Sequence, residues 1–263
     1  MTILDRIVAD KRIEVSIRKK LFPVLYLEKS PLYNKSTVSL SKNLVQSNSG
    51  IISEHKRRSP SKLNINTSLS VVDVIKGYES SGVCGISILT EGKYFGGSLD
   101  DLNIARASSE LPILRKDFVI DEFQIIEAKA HGADVILLIA SILNNKQIKH
   151  LSKFAKNLNL EVLLEVHDLE ELNKSLMPSI DLIGVNNRNL KSFEVNIDTS
   201  RELAEKIPDE FIKVSESGIN NSKTIIELKS FGFKGFLVGE NFMKTDNPGE
   251  SAYEFIKKIE DEI

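Results

Sequence analysis

From residue 50 onward, short aliphatic runs alternate with longer stretches whose apolar positions recur every three or four residues. The runs Gly50 to Ser53, Gly85 to Leu89, Pro112 to Leu114, Asp134 to Ile139, Glu161 to Leu164, Leu182 to Val185, Phe211 to Val214 and Gly235 to Val238 read as strands. Between them, stretches such as Ser70 to Ser81, Asp121 to His131, Asn144 to Asn157 and Asn221 to Phe231 carry helical spacing. Eight strands, each followed by a helix, predict an α/β protein with a parallel sheet, closing most naturally into a (β/α)8 TIM barrel. An open doubly wound sheet is the alternative, but no Gly-x-Gly-x-x-Gly follows the first strand.

Upstream, Ile3, Leu4, Ile7, Val8, Ile13 and Ile17 predict a helix with one apolar and one basic face. Residues 30 to 50 are rich in Ser and Asn and read as an irregular connection with one short helix near Leu40 to Val45. The expected organisation is one barrel domain over 1–263, with residues 1–48 as an N-terminal helical extension that caps the barrel. A membrane-surface role for its basic face is the lesser alternative.

At 263 residues with 41% apolar content, the chain can bury a sizeable core. A net charge of −2 speaks against nucleic acid, although Lys56 to Arg58 is basic enough locally to hold a small anion. Cys84 is alone, placed in a predicted strand, and implies neither a disulfide framework nor a thiolate metal site. Charges interrupt every apolar run near the N-terminus, so no signal peptide or membrane span is expected and the default location is cytoplasmic.

Barrel active sites lie at the carboxyl ends of the strands. There the sequence places Glu54 and Lys56, Lys116 and Phe118, Glu165, Asn186 and Arg188, Glu216 and Ser217, and Gly239 and Glu240. Two residues apart on an extended chain, Glu54 and Lys56 share one mouth if the first strand runs through them. One polar strand end is ordinary solvation; six converging on one basin point to a site. Ser217-Gly218 and Gly239-Glu240 fit the loops that hold phosphate through backbone N–H groups in such barrels, although turn geometry alone would also explain the glycines.

The ordered runs Glu54-His55-Lys56-Arg57-Arg58-Ser59-Pro60-Ser61-Lys62, Leu114-Arg115-Lys116-Asp117-Phe118, Glu165-Val166-His167, Gly184-Val185-Asn186-Asn187-Arg188-Asn189-Leu190, Ser215-Glu216-Ser217-Gly218-Ile219 and Leu237-Val238-Gly239-Glu240 resemble indole-3-glycerol phosphate synthase. Leu89-Thr90 to Gly97-Ser98-Leu99 and the opening Thr2-Ile3-Leu4-Asp5-Arg6-Ile7-Val8 continue the likeness over nearly the whole chain. The resemblance implies a lyase of tryptophan biosynthesis acting on 1-(2-carboxyphenylamino)-1-deoxyribulose 5-phosphate, with no metal or organic cofactor. By carry-over, Lys116 is the general acid of ring closure, and Lys56 and Glu165 are the acid and base of dehydration. Glu54 orients the lysines, and Asn186 holds a substrate hydroxyl or Glu54 itself; Ser217 completes the catalytic set. Substrate binding falls to Ser59, Phe118 as the anthranilate wall, Arg188 as partner of the substrate carboxylate, Glu216, Gly218, Gly239 and Glu240.

A lysine serves in this role only if its pKa is drawn down, as burial among other cations would do, or if it acts as a fixed cation; Lys56, Arg57, Arg58 and Arg115 are near Lys116 in the resembling motifs, and sequence does not show which of them face it. His55 and His167 are expected to turn away from the chemistry by strand alternation. Asp100 and Asp101 read as a helical first turn after Gly96-Gly97-Ser98, and Tyr94 and Phe95 as part of a lid. Leu63 stands where the family usually has Gly, and Asn241-Phe242 where its residues are more often smaller. Two other readings stay open: a phosphosugar isomerase acting on phosphoribosyl anthranilate, and a catalytically silent barrel. The expected partner is the phosphosugar-anthranilate substrate, with no nucleic acid and no membrane. The expected assembly is a monomer or weak homodimer, with association with other tryptophan-pathway enzymes left open.

Overall fold

The computed structural model describes residues 2–190 and 192–263. The strands are β1 (Ile51–His55), β2 (Gly85–Leu89), β3 (Ile113–Lys116), β4 (Val135–Ile139), β5 (Glu161–Val166), β6 (Leu182–Asn186), β7 (Ile212–Glu216) and β8 (Gly235–Val238). Every neighbouring pair is parallel, and β8 returns to β1 through Ile51–Phe236, Ile52–Leu237 and Ser53–Val238, so the sheet is a closed eight-stranded barrel. The expected (β/α)8 architecture is therefore the one observed. β1, β3 and β5 extend two residues beyond their expected ends, which brings Glu54, Lys116 and Glu165 into the ladder itself. Cys84 lies just before β2 and not within it.

Helices α1 (Ile3–Leu21), α2 (Val24–Leu27) and α3 (Leu40–Gln46) precede β1. The crossovers carry α4 (Val71–Ser80), α5 (Leu99–Ser108), α6 (Glu122–Ala130), α7 (Asn145–Asn157), α8 (Leu169–Ser175), α9 (Asp198–Ala204) and α10 (Ser222–Ser230); α11 (Glu240–Met243) and α12 (Pro248–Asp261) follow β8. Several helices start on a side-chain cap: Ser98 for α5, Asp121 for α6, Asn144 for α7, Asp168 for α8 and Asn221 for α10. Each cap satisfies an otherwise orphaned N–H and contributes about 1 kcal/mol. The chain thus turns from strand to helix at defined residues, which fixes the loops between them.

The apolar runs are buried on both faces, as parallel strands require. Ile52, Leu114, Leu137, Leu163, Val214 and Leu237 fill the barrel interior, while Ile51, Ile86, Ile113, Ile136, Leu164 and Phe236 pack outward under the helices. α3 closes the amino-terminal end with Leu40 and Leu44. Glycine is needed opposite them: a Cβ on Gly85 would stand 2.6 Å from Leu40 Cδ1, and one on Gly235 3.1 Å from Leu44 Cδ1.

α1 differs from expectation. Its buried positions are Ile7, Lys11 and Val15, whereas Ile13 and Ile17 are 61% and 51% exposed. A lysine occupies the middle of the inward face because Lys11 Nζ lies 3.0 Å from Asp117 Oδ1 and 2.8 Å from Glu14 Oε2. The buried charges continue from Asp117 to Arg115 at 3.0 Å and from Arg115 to Glu127 at 3.5 Å, and Glu127 reaches the half-buried Arg18 at 2.6 Å. This chain fastens α1 across the carboxyl-end mouth at β3, where Ile3, Leu4 and Ile7 face the cavity.

Candidate active site

A cavity of about 380 Å³ opens at the carboxyl ends of the strands, within the range of small-molecule sites. All thirteen residues singled out from the sequence line it. Strand alternation puts five of them there: Ile52 and Glu54, Leu114 and Lys116, Leu163 and Glu165, Leu182 and Asn186, and Val214 and Glu216 share inward positions, apolar below and polar above.

At the centre stands Lys116. Its Nζ is 3.1 Å from Glu165 Oε2 and also hydrogen-bonds Glu216 Oε2. Asn186 Nδ2 donates to Glu165 Oε1 at 3.1 Å, and Asn186 Oδ1 accepts the backbone N–H of Arg188 at 3.0 Å. Asn186 thus supports Glu165, not Glu54. On the opposite wall Lys56 Nζ pairs with Glu54 Oε1 at 2.7 Å, as their spacing implied. Arg188 donates to Phe193 O at 2.9 Å, and the Phe118 ring faces Phe95 at 6.0 Å between centroids.

At the β7 and β8 loops, Ser217 (φ 66°) and Gly218 (φ 79°) are consecutively left-handed, a conformation costing a serine about 1–3 kcal/mol and one that persists where function or packing demands it. A Cβ on Gly218 would meet Val195 Cγ1 at 2.5 Å. Lys62 Nζ pairs with Glu240 Oε1 at 3.0 Å across the cavity rim, and Ser59 Oγ lies 3.1 Å from Ser61 Oγ. The loop carrying Leu63 leaves that side chain 82% exposed, so the departure there burdens no packing.

The indole-3-glycerol phosphate synthase family model matches residues 4–255. The chain belongs to that family. An indole-3-glycerol phosphate synthase from Bacteroides thetaiotaomicron is 43% identical over 258 residues, covering 98% of this chain and 99% of its own. One from Campylobacter fetus is 41% identical over 261 residues, covering 99% and 100%. Among solved structures, 3-hexulose-6-phosphate synthase from Salmonella typhimurium superposes with a TM-score of 0.64 at 13% identity, over 81% of this chain and 100% of that one, a likeness of fold.

Family membership fits the electrostatics, with one correction. The cations beside Lys116 in sequence do not surround it. Arg57 forks onto Asp101 at 2.6 and 2.8 Å, Arg58 donates to the carbonyls of Gly92 and Lys93, and Arg115 turns outward to Asp117. The basic cluster at 56 to 58 is therefore dispersed and forms no anion site of its own. Burial alone would lower the Lys116 pKa, but the carboxylates of Glu216, Glu165 and Glu54 outweigh it and raise the pKa above the ordinary value. In the resting cavity Lys116 is thus an ammonium. Burial, with the charge of Glu165, pushes the Glu216 carboxyl up to about 7 against the pull of Lys116. Glu165 stays below the usual range: burial would raise it, and Lys116 and His167 more than compensate.

His55 is turned outward and buried, held at about 4 by desolvation and Arg57. His167 is not turned away. Its Nε2 lies 3.4 Å from Glu165 Oε1, because residues two apart share a side of the chain. The two-residue period applied to Glu165 and His167 was the signal that identifies it. Ile3, Leu4 and Ile7 of α1 and Phe193 also line the cavity and carry no polar signature in sequence. Tyr94 OH reaches Asp10 Oδ2 at 2.5 Å, tying the loop after β2 to α1. Among the described residues, no group of three or more His, Cys, Asp or Glu side chains is arranged to hold a metal, and no helix is long and apolar enough to cross a membrane.

Proposed function

We propose that the chain closes the indole ring, converting 1-(2-carboxyphenylamino)-1-deoxyribulose 5-phosphate to indole-3-glycerol phosphate with release of carbon dioxide and water. The observation that carries this is one ammonium, Lys116, held between Glu165 and Glu216, with the Lys56–Glu54 pair on the facing wall of a single cavity. An isomerase would have no use for two lysines and three carboxylates together, and the family match favours ring closure over that reading.

In this reading the phosphate sits against the backbone of Ser217-Gly218 and Gly239-Glu240, with Ser59 alongside. The aromatic ring lies by Phe118, and Arg188 meets the carboxylate. The ring carbon bearing that carboxylate attacks the ketone carbon while the Lys116 ammonium gives a proton to the developing alkoxide. An alkoxide is far more basic than an amine, so a raised lysine pKa still permits the transfer. The bond to carbon dioxide then breaks and its electrons restore the aromatic ring. Finally the hydroxyl leaves as water with a proton from Lys56, which regains one from solvent, while Glu165 takes the proton lost from the neighbouring carbon. Glu165 can return it to the neutral lysine left by the first step, since the two are 3.1 Å apart. Glu54 holds Lys56, and Asn186 and Glu216 hold Glu165 and Lys116.

The reading includes one barrel domain with residues 1–48 as its extension, a cytoplasmic location, and a monomer or weak homodimer working without metal or organic cofactor. Supplying purified protein with the carboxyphenylamino-deoxyribulose phosphate and following indole fluorescence tests the activity. Growth of the signal is expected; a folded protein that stays silent overturns it.

A further inference from the structure

An imidazole stands behind Glu165 in the cavity wall. The His167 backbone N–H donates to Glu171 Oε2 at 2.8 Å, and His167 Nδ1 lies 3.1 Å from the same oxygen. A carboxylate oxygen only accepts, so Nδ1 carries a proton. The other ring nitrogen, Nε2, is sealed from solvent and makes no hydrogen bond, yet Glu165 Oε1 is 3.4 Å away. Without a proton, Nε2 would set a lone pair against the lone pairs of a carboxylate. With a proton it becomes a donor to Oε1.

We propose that His167 is a positioning residue for Glu165, its Nε2–H holding Oε1 from the side opposite the substrate so that Oε2 stays turned toward Lys116 and the reacting carbon. The proposal rests on reading Glu165 as the base of the dehydration step. Oε1 then has two donors, Asn186 Nδ2 and His167 Nε2, while Oε2 has Lys116. A carboxylate fixed at one oxygen by two donors cannot rotate its other oxygen out of line, which is the preorganisation a base in a small cavity needs.

The charged groups that face the ring favour the protonated form. They are Glu165 from β5, Glu171 from α8 and Glu216 from β7, all carboxylates. Burial works to lower the imidazole pKa, and these neighbours raise it above the ordinary value. The sign follows. The imidazolium is present below the raised pKa and is lost as pH rises through it, so the donor to Glu165 disappears on the alkaline side.

Two substitutions separate this role from simple tethering of the loop between β5 and α8. A Gln amide reaches the place of Nε2 and keeps a donor to Glu165; an Asn amide reaches the place of Nδ1 and keeps only the bond to Glu171. His167→Asn should lower kcat by about tenfold or more while KM changes little, within the scale of losing support for a general base. His167→Gln should keep most of kcat and lose the alkaline fall that the imidazole contributes to the pH profile. By NMR, the imidazole of His167, assigned by its absence in His167→Gln, should titrate above the ordinary histidine value in the native protein and fall back in Glu165→Gln. A His167→Asn enzyme as active as the native one, equal losses in both variants, or a midpoint unmoved by Glu165→Gln would overturn the proposal. Silence of the native enzyme on its substrate would instead overturn the functional reading, and the imidazole titration would still report the contact.

Discussion

Gly239 and Glu54 occupy one space between them: a Cβ on Gly239 would stand 2.6 Å from Glu54 Oε1. Gly184 stands in the same relation to Glu216, whose Oε1 would be 2.3 Å from an added Cβ. The two glycines make room for carboxylates, which for Gly239 is a role beyond the turn or phosphate contact that sequence suggests. Gly184→Ala and Gly239→Ala should push Glu216 and Glu54 off the lysines and lower kcat by about tenfold or more, the scale of a disturbed acid–base group. Steady-state kinetics beside circular dichroism checks this; a fully active Gly184→Ala enzyme would refute it.

Lys116 hydrogen-bonds both Glu165 and Glu216. Lys116→Met should cost about 10²- to 10⁴-fold in kcat, the range for a general acid. It should also leave two buried carboxylates facing each other, so both should titrate above their unfolded value of 4.5. The folded variant then binds protons that the unfolded chain has released. Relative to the native protein, its stability should be best at acid pH and fall as pH rises through those raised pKa values. Denaturation midpoints measured across pH decide the point.

Asp117 anchors the buried charges that hold α1. Burial opposes its ionisation, and Lys11, Arg115 and a hydrogen bond from Thr90 at 2.6 Å hold it far below the usual carboxylate range. This stability is fully present above the unfolded value of 3.8 and is lost as pH falls below it toward the native one. Asp117→Asn leaves Lys11, which is 1% exposed, with Glu14 as its remaining carboxylate partner, and should destabilise the protein by about 3–5 kcal/mol at most, the range for breaking a buried pair. Thermal melting reads it as a fall of roughly 6–20 °C for a chain of this size. A shift under about 2 °C would contradict the account.

Glu240 places a negative charge beside the loops assigned to phosphate, balanced by Lys62 at 3.0 Å. Glu240→Gln should free Lys62 for the phosphate and lower KM by about threefold, a modest effect because both side chains are partly solvated. Lys62→Met should raise KM by a similar factor. Both differences should shrink in high salt, which kinetics at two ionic strengths will show.

The barrel and most of the cavity residues were legible because strand alternation and the carboxyl-end rule act locally; Ser59 came only from the resemblance to the family's ordered motifs. What lay hidden depends on partners far along the chain. Ile13 and Ile17 promised an apolar face on α1, but the helix is oriented by Lys11 finding Asp117 and Arg18 finding Glu127 more than a hundred residues away. The cations near Lys116 looked like a cluster in sequence, but alternation sends Arg115 outward while Arg57 leaves the strand end to meet Asp101. His167 differs from expectation for a local reason: the same two-residue period that joins Glu54 to Lys56 joins it to Glu165.

The fastening of α1 also bears on behaviour under heating. Removing ions from water becomes less costly as temperature rises, while apolar burial gains little more per unit area. The chain from Lys11 through Asp117, Arg115 and Glu127 to Arg18 therefore holds relatively better in warmth than an oily contact of the same extent would. Buried from Lys11 to Glu127, it is also poorly screened by salt there. The roof over the cavity should stay seated in warm or salty solution, where helices attached by surface charge alone would begin to lift.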